Sequence, residues 1–159
     1  MMVLLIRPPI RCRPLQKRPS VSLPLGLLYI AAALENASHD VNILDCQLDY
    51  DEKNPIWEWE GNRMFGATWE RIEEKIRRNS YNLVGIENQF TVHIDSAVKV
   101  AEIVKHIDAK IITVMGGNHA SVSPETFFEL TDSVDVVCMR EGEHKLLEII
   151  ACLKGKKKL

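Results

Sequence analysis

Short apolar runs alternate along this chain with longer segments of helical period, and that alternation restricts the fold more than any other feature. Val3-Leu4-Leu5-Ile6 stops at Pro8-Pro9, and Val41-Asn42-Ile43-Leu44 stops at Asp45. Leu83-Val84-Gly85-Ile86, Lys110-Ile111-Ile112-Thr113-Val114 and Val134-Asp135-Val136-Val137-Cys138 follow. Near-continuous apolar runs of this length belong to strands covered on both faces. Between them apolar residues return every three or four positions. Leu27, Leu28, Ile30, Ala31 and Leu34 mark a helix from Pro24 to Ala37, with proline suited to its first turn. Trp69, Ile72 and Ile76 mark a second, and Ala97, Val98, Ala101, Val104 and Ile107 a third over Ile94 to Ile107. A short helix is expected from Pro124 to Leu130, and a last one carries Leu146, Leu147, Ile149, Ile150 and Leu153.

Five strands alternating with five helices predict a single α/β domain: a flavodoxin-like, doubly wound, five-stranded parallel sheet of order 2-1-3-4-5 in three layers. At 159 residues the chain suffices for one such core. The stretch Gln47 to Gly66, carrying Trp57 and Trp59, reads as a long irregular segment that the sheet does not explain, and hence as the candidate for an exposed interface. A formal net charge of -2 provides no basic field for nucleic acid. No apolar run reaches the roughly 18 residues of a membrane span, and Met1 to Ile6 meets Arg7-Pro8-Pro9 too early for a signal peptide. The expectation is a cytoplasmic protein with no nucleic-acid or membrane partner. Cys12, Cys46, Cys138 and Cys152 are spaced neither as a zinc knuckle nor as a disulfide framework; Cys46 and Cys138 read as small buried hydrophobes.

Right-handed crossovers bring every strand-to-helix loop of such a sheet to its carboxyl edge, where ligands bind. The segments to read are therefore Arg7-Pro8-Pro9 onward to Gly26, Asp45-Cys46, Glu87 to Thr91, Gly116 to Ser121 and Met139 to Glu143. No Walker phosphate loop and no GxGxxG dinucleotide fingerprint is present. The first strand ends in Arg7-Pro8 rather than in the acidic residues of a phosphoacceptor domain, and its loop is proline-rich and basic rather than the Ser/Thr/Gly loop of a flavodoxin. Gly116-Gly117 exposes backbone at a strand end and is a candidate ligand seat, or else only a tight strand exit.

Four segments taken together carry a more specific signal. Val3 to Pro9, Pro24-Leu25-Gly26-Leu27-Leu28-Tyr29-Ile30-Ala31-Ala32-Ala33-Leu34-Glu35, Gly116-Gly117-Asn118-His119-Ala120 with Pro124-Glu125, and Arg140-Glu141-Gly142-Glu143 resemble the N-terminal cobalamin-binding domain of B12-dependent radical S-adenosylmethionine enzymes. The resemblance spans Met2 to about Leu153 and implies a cobalamin-binding domain over residues 1–154. Residues 155–159 would be a lysine-rich tail or a truncated linker to an absent radical SAM barrel. It implies cofactor contacts from Pro8, Pro9, Leu25, Gly26, Gln89, Phe90, Thr91, Gly116, Gly117, His119, Glu141 and Gly142. In that reading Gly116-Gly117 admits the nucleotide tail, Glu141 and Gly142 border its pocket, and Gln89-Phe90-Thr91 lies beside the corrin. Read from the residues alone, Glu141-Gly142-Glu143 is helix capping, and His119 a loop histidine facing water rather than a cobalt ligand. His39, His93, His106 and His144 read as exposed polar positions.

The chain has no DxHxxG motif, an absence usual in the family it resembles; the resemblance implies cobalamin bound base-off without a histidine ligand, the lower cobalt face unassigned. It also lacks the CxxxCxxC pattern whose three thiolates hold a [4Fe–4S] cluster and leave one iron for S-adenosylmethionine. Those cofactors would belong to a catalytic domain or partner chain, and this chain would supply no catalytic residue and no metal ligand. The leading expectation is a cobalamin-positioning domain of a methyltransferase-type enzyme. The alternatives are a cofactor-free structural or interaction module of the same fold, and a flavin or nucleotide binder.

Overall fold

The computed structural model describes residues 1–15 and 19–155. In chain order the elements are β1 (Met2–Arg7), β2 (Ile10–Arg11), α1 (Leu25–Asn36), β3 (Asp40–Asp45), β4 (Ile56–Trp59), β5 (Asn62–Phe65), α2 (Trp69–Arg77), β6 (Leu83–Glu87), a 3₁₀ turn (Thr91–His93), α3 (Ile94–Ile107), β7 (Ile112–Gly116), α4 (Asn118–Val122), α5 (Glu125–Leu130), β8 (Val136–Val137) and α6 (Gly142–Leu153). The last residues of the lysine tail, 156–159, and part of the basic loop, 16–18, lie outside the described residues.

The main sheet has the order β3-β1-β6-β7-β8 and is parallel throughout, which is the predicted 2-1-3-4-5 arrangement. Period-two alternation sorts its side chains between two cores. Leu4, Ile6, Leu44, Val84, Ile86 and Met115 face α2 and α3, meeting Ile72, Ile76, Ala97, Ala101 and Val104. Val3, Leu5, Leu83 and Val114 face α1 and α6, meeting Leu27, Ala31, Leu34, Leu146, Ile149 and Ile150. Both faces are thus covered, and the three layers follow.

Three local outcomes depart from the sequence reading. The segment Gln47 to Gly66 contains the hairpin β4–β5, which joins β2 in a small antiparallel sheet of order β2-β5-β4. Its two-residue turn is Glu60-Gly61, both at positive φ (48° and 74°), the geometry that matches the twist of the flanking strands. Trp57 and Trp59, two apart and so on one face, both set their rings edge-on to Trp69, with centroids 5.1 and 5.0 Å away. The tryptophans anchor the hairpin to α2 instead of forming a bare loop.

The helix expected from Pro124 is preceded by another, α4, because the chain turns helical directly after Gly117; Ser123, restricted by the following proline, separates α4 from α5. The last strand is shorter than expected. Asp135 Oδ2 accepts from the Thr113 backbone N–H at 2.7 Å, a donor that the neighbouring strand would otherwise use.

Candidate functional site

The carboxyl ends of β1, β6 and β7 open into two adjoining clefts. The first, of about 260 Å³, runs down between the sheet and the helices α1 and α6. Its apolar walls are Leu5 of β1, Val114 of β7, Leu27 and Ile30 of α1, Leu146 of α6 and the Cys138 side chain. Its rim carries Glu87, Gln89, Asn118, Ser121 and Arg140 to Glu143. The second, of about 240 Å³, lies over β1 and the loop after β6, and includes Arg7, Pro8, Pro9, Ser22, Asn88, Phe90 and His93. Glu87 and Gln89 line both clefts, and their side chains are joined, Gln89 Nε2 donating to Glu87 Oε1 at 2.8 Å.

Glycines shape the first cleft. Gly85 faces it from inside β6, Gly26 and Gly142 stand in the first turns of α1 and α6, and Gly116 ends β7. A Cβ at Gly116 would have no heavy atom within 4 Å, so the missing side chain leaves open space at the cleft. Gly117 is different. Its φ is 107°, and a Cβ there would stand 2.5 Å from the Asn88 carbonyl oxygen. The two glycines that look alike in the sequence therefore do separate work: Gly116 faces a potential ligand, and Gly117 lets the loop after β6 close onto the β7–α4 turn. Asn88 N–H donates to the Gly116 carbonyl at 2.7 Å, and His119 N–H donates to the Asn88 carbonyl at 3.2 Å, locking that contact.

Arg7 and Asp45, at the paired ends of β1 and β3, form a bidentate ion pair, Nε to Oδ1 at 2.9 Å and Nη2 to Oδ2 at 2.7 Å. Both side chains are about nine-tenths buried, with 8% and 10% exposed. Arg7 Nη1 also donates to the Ser22 carbonyl at 2.8 Å, tying the segment before α1 to the sheet edge. The arginine is spent on the framework. His93, expected to be an exposed polar position, is half-buried in the second cleft, its Nδ1 accepting from the Arg11 N–H at 3.3 Å. Burial and the nearby Arg11 guanidinium push its pKa down and so favour the neutral ring.

Of the residues singled out in the sequence, Gly26, Gln89, Gly116, Gly117, Glu141 and Gly142 come together at the first cleft, and Pro8, Pro9, Gln89 and Phe90 at the second. Leu25 is 59% exposed and lines neither. Thr91 and His119 also lie off both linings, bonded to each other through Thr91 Oγ1 and His119 Nδ1 at 3.1 Å. His119 does not face water: it is 7% exposed, with its ring against Phe127 at 5.5 Å. It begins a helix that turns it inward, beneath the loop after β6.

The sequence reading placed Arg7 and Glu87 at the carboxyl edge without naming them as cofactor contacts, and it missed the strand residues Leu5, Gly85 and Val114 as lining groups. Gly85 carried a usable signal, since a lone glycine within a strand often marks a close approach. Burial raises the pKa of the Cys138 thiol at the cleft wall, and that of Cys46 still more. All four cysteines are unpaired thiols. No group of His, Cys, Asp and Glu suited to a metal ion occurs among the described residues, and none of their helices is long and apolar enough to cross a membrane.

The B12 binding domain family matches residues 15–150 of this chain. Over 157 residues, 98% of the chain, the sequence is 29% identical to an uncharacterized methyltransferase of Pyrococcus horikoshii, of which it covers 30%. Over 138 residues, 86% of the chain, it is 28% identical to cytidylyl-2-hydroxyethylphosphonate methyltransferase of Streptomyces wedmorensis, of which it covers 26%. The chain thus spans less than a third of the length of these curated relatives.

Proposed function

We propose, from the premise that this chain belongs to the B12 binding domain family, that it holds cobalamin at the carboxyl edge of its sheet and positions it for a methyl-transferring catalytic domain. The single observation carrying this reading is the first cleft: a glycine-rimmed slot with apolar walls that runs between the sheet and two helices. Such a slot suits a nucleotide tail ending in an apolar heterocyclic base. The residues fit the group by chemistry as well as by shape. Gly116 leaves space that a Cβ would fill. Asn88 Oδ1 is buried without a hydrogen-bond partner, and Asn88 lines the second cleft, where a ligand amide is a suitable donor.

In this reading Leu5, Val114, Leu27 and Leu146 receive the base of the tail and keep water from it. Arg140, the one arginine on the first cleft among the described residues, supplies positive charge at the rim. Glu87, Asn88 and Gln89 offer hydrogen-bonding groups to the amide-bearing ring side chains. The cobalt of the bound cofactor would carry and deliver the methyl group, and the protein's share is orientation and a dry site. The absence of a DxHxxG histidine is consistent with cobalamin that would be held base-off, with Leu5, Val114, Leu27 and Leu146 receiving its base. A [4Fe–4S] cluster and S-adenosylmethionine would belong to a radical SAM domain or chain that uses this one as its cofactor platform. The names of the two methyltransferase relatives support methyl transfer as the chemistry.

Titration of the purified chain with hydroxocobalamin tests the reading. The expected result is retention through gel filtration with a base-off visible spectrum, accompanied by slower alkylation of Cys138 while Cys152 reacts as before. A chain that retains no cobalamin at micromolar concentration, with Cys138 equally reactive with and without it, overturns the reading.

A further inference from the structure

We infer that Glu87 makes this site selective for fully amidated corrinoids over acid forms in which a ring carboxamide is replaced by a carboxylate. The inference rests on the cobalamin reading above and concerns the partition between the two clefts. Glu87 ends β6 and lines both. Its Oε1 lies 3.7 Å from where a Cβ at Gly26 would stand, so the carboxylate reaches from the sheet toward the first turn of α1.

Two acceptor groups stand at this partition, the Glu87 carboxylate and the Asn88 side-chain oxygen. Gln89 gives Glu87 one N–H, at 2.8 Å. Beside it, Asn88 is 2% exposed and its Oδ1 has no partner. The positive charges of the linings do not compensate. Arg7 is committed to Asp45 and to the Ser22 carbonyl. Arg140 shares the first cleft with Glu141 and Glu143, and no ion pair joins either arginine to Glu87 among the described residues. A ligand edge that meets the Glu87 carboxylate and the Asn88 oxygen is therefore matched by N–H donors and opposed by negative charge.

A primary carboxamide satisfies that requirement with two N–H groups. A carboxylate in its place has neither, leaves the acceptors unpaired and sets like charge against Glu87. Unpaired acceptors together with like-charge repulsion across a partly screened cleft are expected to weaken binding by about tenfold or more.

The test compares cobalamin with its monocarboxylic acids, in which one propionamide of the ring is hydrolysed, by absorbance titration of the full chain. The unsubstituted chain is expected to bind at least one isomer about tenfold or more weakly than cobalamin, and Glu87→Gln to bind that isomer and cobalamin within about twofold of each other. Glu87→Ala, which also removes the bond from Gln89, is expected to lose the discrimination as well. Equal affinity of the unsubstituted chain for cobalamin and every isomer overturns the inference, as does discrimination that survives in both variants. Both results leave cobalamin binding intact, whereas a chain that retains no corrinoid at all brings down the underlying reading and the inference with it.

Discussion

Replacing Gly117 by alanine should destabilise the domain sharply, and the same change at Gly116 should not. Gly117 has φ 107° and ψ -177°, a region essentially reserved for glycine, where another residue costs about 1–3 kcal/mol. The added Cβ would also stand 2.5 Å from the Asn88 carbonyl oxygen and 2.8 Å from its carbon. Relief requires the loop after β6 to move away. That movement strains two hydrogen bonds, Asn88 N–H to Gly116 and His119 N–H to Asn88, at about 1 kcal/mol each. The combined loss is about 3–5 kcal/mol, a large share of the stability of an ordinary domain. Urea unfolding followed by the fluorescence of the tryptophans around Trp69 measures it. Gly116→Ala, whose Cβ meets nothing within 4 Å, should stay within about 1 kcal/mol of the unsubstituted chain while weakening cobalamin retention. A Gly117→Ala chain within about 0.5 kcal/mol of the unsubstituted one would refute the division of labour between the two glycines.

Arg7→Met should cost about 3–5 kcal/mol in the same assay, because it leaves the Asp45 carboxylate buried without its partner. Adding Asp45→Leu should recover most of that loss; no recovery means that the pair contributes something other than charge compensation. Asp135 predicts a pH effect. Burial raises its pKa, but hydrogen bonds from Lys105 Nζ at 2.6 Å and from Thr113 N–H at 2.7 Å outweigh burial and hold it below its ordinary value. A depressed folded value gives stabilisation that is fully present above the unfolded carboxyl pKa of about 3.9 and is lost as pH falls through the folded value. Asp135→Asn should therefore be less stable at pH 6 and should lose less additional stability below about pH 4, as read by thermal unfolding across that range. An unchanged acid slope would remove Asp135 from the account.

Parts of the fold were legible because their determinants are local. The stripe Ala97, Val98, Ala101, Val104 repeats with helical period and specifies α3 over Ile94–Ile107. The apolar run Val3 to Ile6 needs cover on both faces, and the alternation of such runs with helices leads to the parallel sheet and its order. The hairpin β4–β5 was harder to read, since its turn depends on two positive-φ residues, one of them Glu60, and its strands are fixed by contact with Trp69 in another element.

The sequence by itself determined the sheet, its carboxyl edge and the glycines that stand there. Only the tertiary structure decided what each of them does. Gly116 and Gly117 are adjacent and chemically identical, yet one opens on the cleft and the other on Asn88. His119 follows them closely and is turned inward onto Phe127, while Glu87, which belongs to no motif, stands between the two clefts. Periodicity and turn chemistry are properties of neighbouring residues along the chain. Which atoms face a cavity depends on elements far apart in sequence, brought side by side when the sheet's two faces are covered.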